Sequence, residues 1–97
     1  MDERTFFIYI LSNPGRTTLY IGITNNLSRR VEDHRIGTVV GFAKRYRCTD
    51  LIYYELFTTA YDAITREKQL KRWSRVKKLE LIRRMNPTVR DLTDNLV

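Results

Sequence analysis

Five residues of this chain have the types and spacing to do chemistry: Tyr9, Tyr20, Arg30, His34 and Glu67. Glu67 is the most informative. On a helical wheel it falls within a stripe of Ala60, Ala63, Ile64 and Leu70, so its carboxylate is aimed at apolar surroundings. Such a group is expensive unless it is paired or binds a cation. A structural ion pair or tyrosine hydrogen bond and a metal ligand are equal readings at this point. Arg30 borders the apolar stripe of Leu27, Val31 and His34, and by itself it reads first as a solvated arginine beside Arg29. Tyr9 and Tyr20 sit in apolar runs, where each alone is a core aromatic with its hydroxyl at a polar edge. His34 is a packed helix histidine or a proton acceptor, its ordinary pKa near 6.5 suiting the second role.

These residues need elements to hold them. Phe6 to Leu11 is a continuous apolar run, read as a strand buried on both faces. Ser12-Asn13-Pro14-Gly15 is a dense turn signal, and Leu19 to Ile23 a second strand, so the pair is expected to form a hairpin. Tyr9 then shares a face with Phe7 and Leu11, and Tyr20 with Gly22, a glycine that leaves room for close approach. Thr24, Asn25 and Asn26 offer caps for a helix through about Arg35. A loop is expected from Gly37 through Lys44-Arg45-Tyr46-Arg47, then a third strand over residues 51–57. Thr58 or Thr59 caps a long helix through about Trp73, and residues 76–85 form a last helix stopped at Asn86-Pro87. The tail from Thr88 is unassigned. Trp73 reads as packing between the last two helices. The order β-β-α-β-α-α predicts an α+β fold, a three-stranded, mainly antiparallel sheet flanked by helices. A single domain over residues 1–97 is expected, its core over about 6–86.

Eighteen Lys and Arg against eleven Asp and Glu give a net charge of +7 over 97 residues. A polyanionic partner follows, nucleic acid by default and an acidic membrane surface as the competitor. One cysteine, Cys48, excludes an intrachain disulfide and, with one histidine, a Cys-based zinc site. Met1-Asp2-Glu3-Arg4 does not read as a signal peptide, and no apolar run is long enough to span a bilayer, so a cytoplasmic protein is expected.

Taken together, Ile8-Tyr9-Ile10 and Tyr20-Ile21-Gly22, followed by Arg30, His34, Tyr53-Tyr54-Glu55, Glu67-Lys68, Leu70-Lys71, Trp73 and Lys77-Lys78, resemble the GIY-YIG nucleases, in particular their small stand-alone bacterial members. The nuclease domain of the bacterial excision-repair incision subunit is a more distant likeness. The resemblance covers about Phe6 to Asn86. There are two departures. Ile8 replaces the leading glycine of the first motif, and Ile23 stands where repair-type relatives carry a lysine thought to assist the base. Ile23 cannot serve that role.

The resemblance implies a metal-dependent endonuclease acting on DNA in preference to RNA, in repair or recombination. Glu67 would hold one Mg²⁺ or Mn²⁺, Arg30 would stabilise phosphoryl charge, Tyr9 would be the general base, and Tyr20 would position water or phosphate. A tyrosine base is awkward, because its ordinary pKa is about 10; the metal and Arg30 would have to lower it, and His34 is the reserve. Lys44, Arg45 and Arg47 with Tyr46, and Lys68 and Lys71 on the long helix, are the expected nucleic-acid contacts. With no appended DNA-reading motif, structure-selective or weakly specific cutting is expected. A nucleic-acid-binding module without hydrolysis is the alternative.

Overall fold

A computed structural model describes residues 5–38 and 41–96. Three strands, β1 (Phe6–Ser12), β2 (Leu19–Thr24) and β3 (Asp50–Phe57), form one sheet in the order β2-β1-β3, antiparallel throughout. The helices are α1 (Leu27–Ile36), α2 (Phe42–Arg45), α3 (Ala60–Arg72) and α4 (Arg75–Met85), with a 3₁₀ turn at Thr93–Leu96. None of the described helices is long and apolar enough to cross a membrane.

β1 is the central strand, which is why its sequence is apolar at consecutive positions. Ile8 and Ile10 point to one side, where Ile21, Ile52, Tyr53 and the α3–α4 residues Ala63, Leu70 and Ile82 bury them. Tyr9 and Leu11 point to the other, packed with Leu27 and Val31 of α1, Ala43, Cys48, Leu51 and Leu92. The register slips between Ile10 and Leu11, whose β3 partners are Tyr53 and Leu51. That bulge makes Ile52 and Tyr53 join the same side of the sheet.

Local chemistry sets the element ends. In the hairpin, the Asn13 side chain accepts from the backbone N–H groups of Thr17 and Thr18 at 3.0 and 2.9 Å. Asn26, Thr59 and Ser74 cap α1, α3 and α4 by accepting from the third residue onward. Gly37 closes α1 at φ 79°, a left-handed conformation that glycine adopts without penalty.

Two expectations need correction, and the tail left unassigned takes a definite place. The basic stretch expected as loop begins with a helical turn, α2, because Gly41 releases the chain and the Tyr46 amide bonds back to Phe42. The apolar stripe on α3 is narrower than read, for Ala63 and Leu70 are buried while Ala60 and Ile64 are exposed. The unassigned tail is tied down by polar anchors: buried Asn86 donates to the carbonyls of Ile52 and Arg90, and Asp91 accepts from the Leu51 amide while the Leu92 amide bonds the Leu51 carbonyl. The tail thus covers part of the free edge of β3. Trp73 is half-buried against the α3–α4 side of the core, with the Arg66 guanidinium 5.2 Å and the Lys77 ammonium 4.1 Å from its ring centroid.

Candidate active site

α1 lies across the Tyr9 side of the sheet because Leu27, Val31 and His34 form one buried stripe at helical spacing. That docking brings His34 against both tyrosines. Its ring centroid is 5.4 Å from that of Tyr20 and 6.0 Å from that of Tyr9, and the two tyrosine rings are 6.3 Å apart. The Tyr9 hydroxyl lies 3.4 Å from His34 Nε2, so the phenol can donate to the neutral imidazole. Gly22 is the cross-strand partner of Tyr9. What approaches its backbone is Tyr9 itself, for a Cβ at Gly22 would collide with the phenol hydroxyl and the ring carbon bearing it.

The electrostatics divide the two proton-transfer candidates. Tyr9 is 2% exposed. Burial chiefly, then the neighbouring Tyr20, raises its pKa far above the ordinary tyrosine value; Glu67 and a hydrogen bond with Tyr20 raise it further, and Arg30 only partly opposes them. His34 moves the other way. Burial lowers its pKa, Arg30 lowers it further, and Asp33 opposes them. Near neutral pH the pair is therefore a protonated phenol against an uncharged imidazole.

Arg30, on α1, is half-buried and has no acidic partner within salt-bridge distance among the described residues. It lines a depression of about 270 Å³ with Thr24, Asn25, Asn26, Arg29 and Asp33. Glu67 comes from α3 on the opposite side of the sheet, yet its charge reaches Tyr9. α3 runs beside the edge strand β2, and Glu67 stands on the border between the buried Ala63–Leu70 line and the exposed Ile64. Its side chain is 18% exposed and pairs with Lys71 at 3.0 Å, not with Arg30. Ile23 packs against the core.

Among the described residues no three His, Cys, Asp or Glu side chains gather as a metal cluster. A hard divalent cation does not require one, since Mg²⁺ keeps several waters and takes one or two carboxylates plus substrate oxygens. A half-buried carboxylate with one displaceable lysine partner is compatible with that chemistry.

The basic residues separate into two places. Lys44, Arg45, Tyr46 and Arg47 are exposed on and after α2. α2 also presents Phe42, which sequence reasoning missed. Its ring stacks on Tyr20 at 6.4 Å and 22°, and Tyr46 follows at 4.6 Å with the Arg45 guanidinium 5.6 Å from its centroid. An aromatic run thus leads outward from Tyr20 through Phe42 to Tyr46, 51% and 43% exposed. The available signal was a pair of aromatics four residues apart after a glycine. Lys71 stands at Glu67, whereas Lys68 lines a separate groove with Thr65, Gln69, Arg72 and Trp73.

A family model described as the GIY-YIG catalytic domain matches residues 5–80. The chain is 37% identical over 79 residues to a UPF0213 protein of Pediococcus pentosaceus, covering 81% of this chain and 82% of that one. It is 35% identical over 77 residues to a UPF0213 protein of Staphylococcus aureus, covering 79% and 93%. The solution NMR structure of a UPF0213 protein from Bacillus halodurans aligns with a TM-score of 0.58 at 22% identity, covering 96% and 98% of the two chains, which bears on the fold alone.

Proposed function

Since the chain belongs to the GIY-YIG family, we propose that it is an endonuclease that hydrolyses phosphodiester bonds of nucleic acid, DNA in preference to RNA, with Mg²⁺ or Mn²⁺. The observation that carries this reading is the Tyr9 hydroxyl 3.4 Å from His34 Nε2, with Arg30, which has no acidic partner among the described residues, beside them. Tyr20 positions a water. That water gives a proton to the Tyr9 oxygen as Tyr9 passes its own proton to His34 Nε2, and the hydroxide attacks phosphorus as the P–O bond to the leaving ester oxygen breaks; the leaving oxygen takes a proton from solvent water, and the imidazolium returns its proton to solvent. The imidazole is the sink that a buried tyrosine lacks, so Tyr9 need never persist as a phenolate. The Arg30 guanidinium meets the negative charge that grows on the phosphoryl oxygens. Glu67 would hold the divalent cation, which when bound supplies Lewis-acid polarisation of the phosphate.

The exposed run Phe42–Tyr46 and the cations Lys44, Arg45 and Arg47 suit a strand whose bases are unstacked, since ring stacking accepts any base and the cations follow the backbone. We therefore read the cutting as structure-selective, for flaps, branches or single strands, which fits repair or recombination. Incubation with branched, duplex and single-stranded DNA and RNA, in Mg²⁺, in Mn²⁺ and in chelator, tests the proposal. Metal-dependent cleavage is expected. Binding without cleavage under every condition would leave a nucleic-acid-binding module instead.

A further inference from the structure

Glu67 differs from the other ion-paired acids in the kind of cation that holds it. Among the described residues, Asp50, Glu55 and Asp91 are each held by an arginine from another segment of the chain: Arg16, Arg66 and Arg35. The Arg66–Glu55 pair is a two-pronged fork, both contacts at 2.9 Å. Glu67 is held by a lysine one turn along its own helix, through a single contact of 3.0 Å, and that lysine is 54% exposed. A guanidinium fork fixes a carboxylate in one geometry, whereas an ammonium on a flexible stem is a point charge that leaves easily. The three arginine pairs join separate segments of the chain; the lysine pair joins nothing that α3 does not already join.

We propose that Lys71 is a built-in competitor of the divalent cation for Glu67, so that it sets how tightly the free protein holds its metal. This rests on the reading of Glu67 as the metal-holding carboxylate. In the metal-free protein the ammonium neutralises Glu67, leaving no bare negative charge to repel a phosphodiester. When a divalent ion takes the carboxylate, the ammonium must withdraw. Even at about 5–6 Å in the dielectric of water, charges of one and two repel enough to weaken metal binding about tenfold. The released lysine remains at the mouth of the site, free for a phosphate oxygen, so nucleic acid relieves the competition that the free protein imposes.

The test is Mn²⁺ binding to the full chain without nucleic acid, by calorimetry, for the wild type and for Lys71→Gln, Lys68→Gln and Glu67→Gln. Glutamine matches lysine closely in helix propensity, so α3 persists in the lysine variants. Lys71→Gln is expected to bind Mn²⁺ about tenfold more tightly than wild type. Lys68→Gln, whose charge lies about 100° further round the helix from Glu67, should change little, and Glu67→Gln should lose the site. If Glu67→Gln binds like wild type, the metal-ligand reading fails and this inference with it. If Glu67→Gln loses the site while Lys71→Gln binds no more tightly than wild type, or Lys68→Gln tightens binding as much as Lys71→Gln, the inference about Lys71 alone is overturned.

Discussion

The Tyr9 hydroxyl stands 3.4 Å from His34 Nε2, joining the middle of the central strand to the last turn of α1. The groups that bear on His34 are Tyr9, Tyr20, Arg30 and Asp33. Because burial and Arg30 depress its pKa, the imidazole remains an acceptor below pH 6.5. Cleavage should therefore hold as pH falls through 6.5 and decline only at the lower, folded-state pKa. His34→Ala should lose about 10²- to 10⁴-fold in rate together with this acidic limb, and Tyr9→Phe should be inactive but folded. An unchanged pH–rate profile in His34→Ala would return the base role to Tyr9 alone. The same depression links to stability. The unfolded chain gains a proton near pH 6.5 while the native one does not, so the contribution is complete above that pH and is lost as pH falls toward the folded value.

Gly22→Ala should damage structure and chemistry together. The added methyl collides with the Tyr9 hydroxyl and ring, and overpacking of this kind costs about 1–3 kcal/mol. Thermal melts of Gly22→Ala and of Gly22→Ala/Tyr9→Ala check the cause. The methyl should cost less in the background that lacks the phenol. An equal cost in both backgrounds would place the strain elsewhere.

Arg30→Ala should lower the cleavage rate about 10²-fold or more and barely change affinity, because a contact made in the transition state is lost while other cations still grip the strand. Single-turnover rates beside equilibrium binding give both quantities. Equal proportional losses would make Arg30 a binding residue only.

Glu67→Gln should eliminate metal-dependent activation and keep nucleic-acid binding. Its stability should scarcely move, since the partner left behind is the exposed Lys71 and such i,i+4 pairs contribute about 0.3–0.5 kcal/mol. Melting curves with and without Mn²⁺ decide. A loss of roughly 3 kcal/mol with cleavage still responding to metal would mark Glu67 as structural.

Phe42→Ala should weaken binding to single strands by about 1–3 kcal/mol per stacked base while leaving the salt slope unchanged; Lys44→Ala should reduce that slope by about 0.7. Fluorescence titrations at several salt concentrations separate the two effects. A change of slope in Phe42→Ala would remove the stacking assignment.

The continuous apolar run of β1 was legible as a doubly covered strand because its one-dimensional pattern is the direct trace of burial on both faces. The helix starts were readable to within a residue or two, since a cap acts within three residues; the structure picks Asn26 from Thr24, Asn25 and Asn26, and Thr59 over Thr58. The alignment of Leu27, Val31 and His34 on one face of α1 follows from helical period alone. What period cannot supply is how far a stripe extends into the core. Ala60 and Ile64 share the wheel sector of Glu67 and yet are exposed, because the width of the contact depends on where α3 rests on the sheet. For the same reason the partner of Glu67 was undecidable from sequence: Lys71 is in reach through the helix alone, and only the packing of α1 and α3 on opposite sides of the sheet shows that Arg30 does not take its place. The opposed pKa shifts of Tyr9 and His34 depend on desolvation and on distances between side chains 25 residues apart. The stacking of Phe42 on Tyr20 depends likewise on the unforeseen turn of α2. Residue types and local periods determined the elements and the candidates; long-range packing decided which charges and rings face one another, because those energies depend on through-space distance and exclusion of water.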